Sequence, residues 1–162
     1  EIKKDVLGEK HPDTAISYNN IGVVYKNLGD YDKALEFHNK ALEIRKEVLG
    51  EMHADTADSY DNIGVVYRNL GDNDKALEYH NKALEIRKEV LGEKHANTAN
   101  SYNNIGVVYA NLGDYDKALK YFNKAFEIFE ERLGESHPYT QQALQNIAII
   151  IQLSEESQGK RE

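Results

Sequence analysis

The chain has 162 residues, a length that fits one compact domain or a short repeat array. It contains no cysteine, which excludes disulfide frameworks, thiolate zinc sites, iron–sulfur clusters and cysteine nucleophiles. Hydrophobic residues make up 40% of an acidic chain of net charge −8, so it has the composition of an ordered protein without the basic character of a nucleic-acid binder. The absence of cysteine is compatible with the cytoplasmic (intracellular) location that we expect. No apolar run is long enough to span a membrane and no signal-peptide core is present, and we expect no membrane or nucleic-acid partner.

The sequence repeats itself with a period of 42 residues. Residues 7–48 differ from residues 49–90 at only seven positions, and residues 91–132 follow the same template. The recurring string Leu-Gly-Glu-x-His begins at Leu7, Leu49, Leu91 and Leu133.

The first residues belong to the same pattern, because residues 1–8 match residues 43–50. We therefore expect the chain to start partway through a repeat, as a piece of a longer array. The predicted organisation is a single array over residues 1–153, followed by a polar tail at 154–162. Its parts are the end of a preceding repeat at 1–8, three repeats at 13–50, 55–92 and 97–134, and a terminal helix at 139–153.

Each full unit predicts two helices joined by a tight turn. In the first unit, apolar and aromatic residues recur with the 3.6-residue period of an α-helix, which predicts helix A over about residues 13–28. Gly29 is expected to end it in the left-handed conformation, and Asp30 is expected to cap helix B, over about residues 31–49. The linkers are so short that successive helices must pack antiparallel.

This pattern resembles the tetratricopeptide repeat, and the longer 42-residue unit is similar to the kinesin-light-chain-type subclass. The matching residues of the first unit are Tyr18, Ile21, Gly22 and Tyr25 in helix A, Gly29 and Tyr31 at the turn, and Ala34, Ala41 and Ile44 in helix B. The resemblance implies an all-α fold: a right-handed α-solenoid of antiparallel helix pairs, the tetratricopeptide-type superhelix. Two helices should cross closely at the small residues, so Gly64 is expected at the closest crossing of the middle repeat.

The six histidines invite a metal or general-base interpretation, which the spacing does not favour. Four of them stand once per repeat at the start of helix A, too far apart to share one ion, so local hydrogen bonds are expected. The family usually has a large apolar residue where this chain has His38 and His80, and Phe122 restores it in the third repeat. We expect both histidines to pack between helices with one nitrogen satisfied and to titrate below the free value where they are buried. The sequence therefore predicts no catalytic residue, metal site or cofactor.

The resemblance implies a concave groove lined by the A helices, in which a peptide or protein segment would bind. Three of the four positions that vary among the three A helices fall on this face, which favours selection for a ligand. The candidate groove residues are Ile16, Asn19, Asn20, Val23, Lys26 and Asn27 in the first repeat, Asp58, Asp61, Asn62, Val65, Arg68 and Asn69 in the second, and Asn100, Asn103, Asn104, Val107 and Asn111 in the third.

The predicted ligand is an extended segment with an acidic group near Lys26 and Arg68 and a basic group near Asp58 and Asp61. The asparagine columns should hydrogen-bond its backbone. Replacing Asp58 and Asp61 with lysine is then expected to shift the preference to acidic peptides without unfolding the array. The alternatives are a structural spacer or self-associating array, and a sensor arm of a larger multidomain protein.

An apolar stripe near the C-terminus is open to two interpretations. Phe122, Phe126, Phe129 and Leu133 recur at helical spacing, and they are expected to pack under the last helix. The alternative is an exposed surface for end-to-end homo-association, since solenoid ends with uncovered apolar faces tend to stack. The residues proposed for that surface are Phe126, Phe129, Ile149 and Leu153.

Overall fold

The structure of the chain is a computed structural model that describes residues 10–160. These residues form seven α-helices and no strand. The helices are α1 (Pro12–Asn27), α2 (Tyr31–Val48), α3 (Ala54–Asn69), α4 (Asn73–Val90), α5 (Ala96–Asn111), α6 (Tyr115–Leu133) and α7 (Pro138–Gly159). The predicted all-α class and the three pairs of A and B helices are confirmed, while the expected repeat end at residues 1–8 lies outside the described residues.

The last helix is longer than expected. Helix α7 runs to Gly159, so most of the predicted polar tail at 154–162 is helical. The 42-residue template ends near Leu153, but no helix-breaking residue follows before Gly159. Gln152 Nε2 also donates to Glu156 Oε1 at 3.0 Å, a hydrogen bond that supports this exposed last part of the helix.

The helix ends follow the predicted local chemistry. Gly29 has φ +79°, the left-handed conformation expected where helix A stops. Asp30 then caps α2, and its carboxylate accepts from the backbone N–H of Lys33. Each of the four repeated histidines accepts, through Nδ1, the backbone N–H two residues further on, at 3.0 to 3.2 Å. The expected local hydrogen bonding of these histidines is confirmed.

The chain divides into two units, Glu1–Val90 and Leu91–Glu162. In the first, the contacts between α3 and α4 establish their antiparallel packing: Tyr67, late in α3, stacks on Tyr79 early in α4, while Asp61 pairs with Arg87 further along α4. A core cluster joins α2, α3 and α4. Its buried members are Leu42, Ala57, Tyr60, Ile63, Ala83 and Ile86.

The second unit contains α5, α6 and α7. Phe122 and Ala118 of α6 form a buried cluster with Ile150 of α7, and Phe129 lies against Tyr139. The predicted packing of the aromatic stripe under the last helix is therefore confirmed for Phe122 and Phe129. Phe129 is only 2% exposed, so the structure contradicts its assignment to an association surface, because Tyr139 of α7 covers it.

Glycine lies at the crossing of each A and B pair because a ring occupies the space that its side chain would need. A Cβ atom at Gly64 would lie 2.9 Å from the His80 ring, and one at Gly106 would lie 2.8 Å from the Phe122 ring. Gly64 is therefore at the close helix crossing where the sequence placed it.

Candidate functional site

The A helices of the first unit present the predicted polar face, which we call the A-helix face. All of its proposed residues except Asp61 are at least partly exposed to solvent. They are Ile16, Asn19, Asn20, Val23, Lys26 and Asn27 of α1 and Asp58, Asn62, Val65, Arg68 and Asn69 of α3. In the second unit, the corresponding residues of α5 are also accessible: Asn100, Asn103, Asn104, Val107 and Asn111.

Asparagine side chains bond across neighbouring A helices. Asn62 Nδ2 donates to Asn19 Oδ1 at 2.7 Å in the first unit, and Asn146 Nδ2 donates to Asn103 Oδ1 at 3.1 Å in the second. Part of the hydrogen-bonding capacity that the sequence assigned to a ligand is therefore used inside the protein. The remaining amide groups, such as that of the exposed Asn20, have no side-chain partner within residues 10–160.

Asp61 does not face a ligand. The residue is 7% exposed, its Oδ1 lies 2.8 Å from His80 Nδ1, and its Oδ2 accepts from Arg87 Nη1. Arg87 Nη2 also donates to Asp58 Oδ1 at 2.7 Å. The expected basic ligand group at Asp58 and Asp61 is thus replaced by an internal cation, the guanidinium of Arg87.

This arrangement also corrects the expectation that lysines at positions 58 and 61 would leave the fold intact. Burial alone would lower the pKa of Arg87, but Asp61 and Asp58 reverse that effect, so the pKa is raised. Lysine at position 61 would put a second buried cation beside the guanidinium, which is strongly destabilising. Sequence reasoning missed Arg87 as a member of this cluster.

The cations of the A-helix face, unlike its aspartates, are not paired inside the described part of the protein. Lys26 and Arg68 occupy equivalent positions in α1 and α3, and both side chains are partly exposed. Neither side chain has an ion-pair or hydrogen-bond partner among the described residues, whereas both aspartates in this region are engaged with Arg87. Burial lowers the pKa of Arg68, because the guanidinium loses part of its solvent shell. Arg87 neutralises one of the two carboxylates, so one negative charge stays on the Asp58–Asp61 pair, against the two positive charges of Lys26 and Arg68. The net charge left for a ligand on this face is positive.

His38 fills the space between α1 and α2 against Gly22. Its Nδ1 lies 3.1 Å from Asn19 Oδ1, an acceptor, so Nδ1 carries the proton and donates. Its Nε2 is buried without a hydrogen-bond partner in the described part of the chain. Burial, together with the charges of Lys26 and Arg45, lowers the pKa of His38 to about 4, which confirms the expected direction.

The lowered pKa of His38 predicts a loss of stability in acid. His38 binds a proton near pH 6.5 in the unfolded chain but only near pH 4 in the folded chain. The stability that the neutral His38 contributes is therefore fully present above pH 6.5 and is lost as the pH falls from 6.5 to 4. The cost is expected to reach about 2 kcal/mol at pH 5. His38→Phe should remove it, because the third repeat already holds Phe122 against Gly106. Urea unfolding of both proteins between pH 7 and pH 4 measures the difference, and parallel pH profiles would contradict the assignment.

No group of three histidine or acidic side chains within residues 10–160 is arranged to hold a metal ion. None of the helices in the same range combines the length and apolarity needed to cross a membrane.

The outer side of α7 retains exposed apolar residues. Ile149 and Leu153 are 47% and 39% exposed, while Phe126 is half-buried and Phe129 is buried. Self-association through Ile149 and Leu153 stays a prediction.

These features define an all-α repeat protein built from antiparallel helix pairs. The chain belongs to the tetratricopeptide repeat family, whose pattern matches it over residues 1–47, 13–89, 55–131 and 98–158. Repeats of this family generally mediate protein–protein interactions and are generally non-catalytic. No curated protein matches the sequence.

Solved structures with the same fold support the assignment. BtubC (BKLC) from P. vanneervenii is 28% identical with a TM-score of 0.80, and the match covers 91% of this chain and 59% of BtubC. The apo form of RapI is 26% identical with a TM-score of 0.76, over 89% of this chain and 50% of RapI. A Podosopora anserina kinesin-light-chain-like protein with nearly identical TPR-like repeats has a TM-score of 0.75 at 19% identity, over 99% of this chain and 76% of that one. The predicted tetratricopeptide repeat family is confirmed. The likeness to the kinesin-light-chain-like protein, at 19% identity, shows that the two chains share a fold.

Proposed function

We propose that the chain is a protein-interaction module that binds an extended peptide or protein segment on the A-helix face, with an acidic side chain of the ligand at Lys26 and Arg68. The observation that carries this proposal is the state of the charges on that face. The two cations have no internal partner among the described residues, and the nearby aspartates are already engaged with Arg87. A ligand carboxylate is therefore the complementary group.

The rest of the face suits an extended backbone. Asn20 and Asn27 are exposed and can donate to or accept from a peptide group, and the half-buried Val23 and Val65 offer small apolar contacts between the polar positions. The mixture of amides, small apolar groups and two cations is typical of peptide recognition in which hydrogen bonds give affinity and charge gives specificity.

Replacing the two cations with alanine is expected to weaken binding of acid-containing peptides selectively. Lys26→Ala and Arg68→Ala copy the third repeat, where Ala110 stands at the same position. Each substitution should reduce affinity by about five-fold or less, because exposed ion pairs contribute only about 0.2–1 kcal/mol. The measurement is binding to an array of random extended peptides at low and moderate salt.

The matched control is Lys33→Ala. It also removes an exposed lysine, but this lysine lies on α2, outside the A-helix face, and pairs with Asp30. It should leave the array pattern unchanged. If Lys26→Ala and Arg68→Ala bind the same peptides as the wild type with equal affinity, and their circular dichroism is unaltered, the A-helix face is not the binding site.

A further inference from the structure

A second surface, on α4 and the segment before α3, departs from the pattern of the neighbouring repeats. In the first repeat Lys10 Nζ pairs with Glu47 at 2.5 Å, and in the third Lys94 Nζ pairs with Glu131 at 3.2 Å. These pairs occupy equivalent positions, 42 × 2 = 84 residues apart. They tie the segment before helix A to the last turns of helix B in the same repeat.

The middle repeat has Met52 in place of the lysine, and Glu89 stands at the position of the glutamate. Methionine cannot neutralise a carboxylate, and Glu89 has no ion-pair partner within the described range. Met52 is 52% exposed although it is a large apolar residue, and it is the only methionine in the sequence. The change therefore removes the ion pair that the other two repeats form at these positions, leaves Met52 exposed to solvent and leaves Glu89 without a cation.

Met52 borders a shallow cavity of about 420 Å³ whose other wall is the outer face of α4. Ile86, itself buried, is the second apolar residue of this cavity. Methionine is unbranched and polarisable, so it adapts its shape to different apolar partners. The cavity can therefore accept one large apolar side chain from outside.

The rim of this cavity is acidic. Glu85 lines the cavity and, like Glu89 one turn further along α4, has no ion-pair partner among residues 10–160. The cation on this wall, Lys82, is already paired with Glu78 at 3.0 Å. The free carboxylate of Glu85 therefore lies at the apolar floor, and that of Glu89 lies one helical turn beyond it. A cationic group placed beside a bound apolar side chain would be attracted by both.

We propose that Met52, Ile86, Glu85 and Glu89, here called the Met52 surface, form a second protein-interaction site. Its partner is a protein segment in which a large apolar side chain lies next to lysine or arginine. The apolar side chain enters the cavity between Met52 and Ile86, and the basic side chain replaces the lysine that the other repeats supply at this position. This surface lies on α4 and the segment before α3, so it is separate from the A-helix face and prefers a ligand of the opposite charge.

The test uses short random peptides displayed on phage and selected in parallel on the wild type and on Met52→Lys. This variant restores the lysine of the other repeats and should pair with Glu89, so it is expected to fold with at least the wild-type melting temperature. Peptides selected by the wild type alone are expected to share a large apolar residue next to lysine or arginine. They should still bind Met52→Leu, and they should lose about five-fold or less in affinity for each of Glu85→Gln and Glu89→Gln.

The single methionine also provides a direct reporter. In protein labelled at its methionine methyl group, a selected peptide should shift the one methyl signal, and Lys26→Ala should leave that shift unchanged. Three results would overturn the proposal: no peptide distinguishes the wild type from Met52→Lys, the selected peptides lack the apolar-basic pair, or the signal shifts with protein concentration alone, which indicates a second copy as the occupant. The two surfaces are tested with different variants, and Lys26→Ala belongs to the A-helix face. A negative result for the Met52 surface therefore does not contradict peptide binding at the A-helix face.

Discussion

Replacing Gly64 with leucine is expected to destabilise the protein by about 3 kcal/mol. A Cβ atom at this position would already lie 2.9 Å from the His80 ring, closer than van der Waals contact allows. The ring cannot easily move away, because His80 is fully buried and its Nδ1 is held by Asp61 at 2.8 Å. Helix propensity alone predicts the opposite sign, a gain of about 1 kcal/mol when glycine leaves a helix interior.

Urea unfolding followed by circular dichroism measures this difference. Gly159→Leu is the matched control, because nothing lies within 4 Å of a Cβ atom at Gly159, the last residue of α7. The control should change the free energy of unfolding by less than about 0.5 kcal/mol. Shortening His80 to alanine in the Gly64→Leu background should recover part of the loss, since it vacates the space that leucine needs. A Gly64→Leu protein more stable than the wild type would contradict the packing of glycine on the ring.

Most of the fold could be predicted from the sequence because its signals are local and repeated. Gly29 ends one helix and Asp30 caps the next, and both effects depend only on residues within a few positions. The end of α7 was missed because the prediction followed the repeat template to Leu153, whereas the helix itself stops only at Gly159. Local chemistry decides where a helix ends, and the template carried no information about it.

The candidate site was predicted less completely, because sequence spacing on one helix does not reveal which polar groups neutralise each other across two helices. Asp61 and Arg87 are 26 positions apart and pair through packing of α3 on α4. A signal for this pair is present in the repeats themselves. The set Asp61, His80 and Arg87 of the second repeat is Asn103, Phe122 and Phe129 in the third, so all three polar residues differ there, whereas the first repeat keeps His38 and Arg45 beside Asn19. Only the comparison with the third repeat therefore points to the cluster.

Asp61→Ala is expected to destabilise the protein by about 4 kcal/mol, the cost of removing one partner from a buried ion pair. The Asp61 carboxylate is the common acceptor for His80 and Arg87, and the Arg87 side chain is only 7% exposed. Without the Asp61 carboxylate, the Arg87 guanidinium still pairs with Asp58. The Asp58 side chain is half exposed, so solvent screens that ion pair. Urea unfolding at pH 7 measures the loss.

Asp61→Asn is the matched control, because asparagine stands at this position in the first and third repeats as Asn19 and Asn103. The amide oxygen can still accept from His80, as Asn19 does from His38 at 3.1 Å, while one of the two negative charges beside Arg87 is lost and that of Asp58 remains. Its expected cost is about 1 to 2 kcal/mol. A larger loss for alanine than for asparagine separates the missing hydrogen-bond acceptor from the missing charge.

The triple variant Asp61→Asn, His80→Phe, Arg87→Phe replaces the whole polar cluster with the residues of the third repeat. It tests whether the fold needs the ion pair or only a packed interior at these positions. Buried ion pairs are often replaced by apolar residues without loss of stability, because the desolvation of the charges is avoided. The triple variant is therefore expected to be more stable than Asp61→Ala and close to the wild type.

If Asp61→Ala alone costs less than about 1 kcal/mol, the pair is solvated and the carboxylate is available to a ligand after all. Because a buried, neutralised Asp61 leaves Lys26 and Arg68 as the unpaired charges of the A-helix face, the same measurement decides which ligand charge that face can accept.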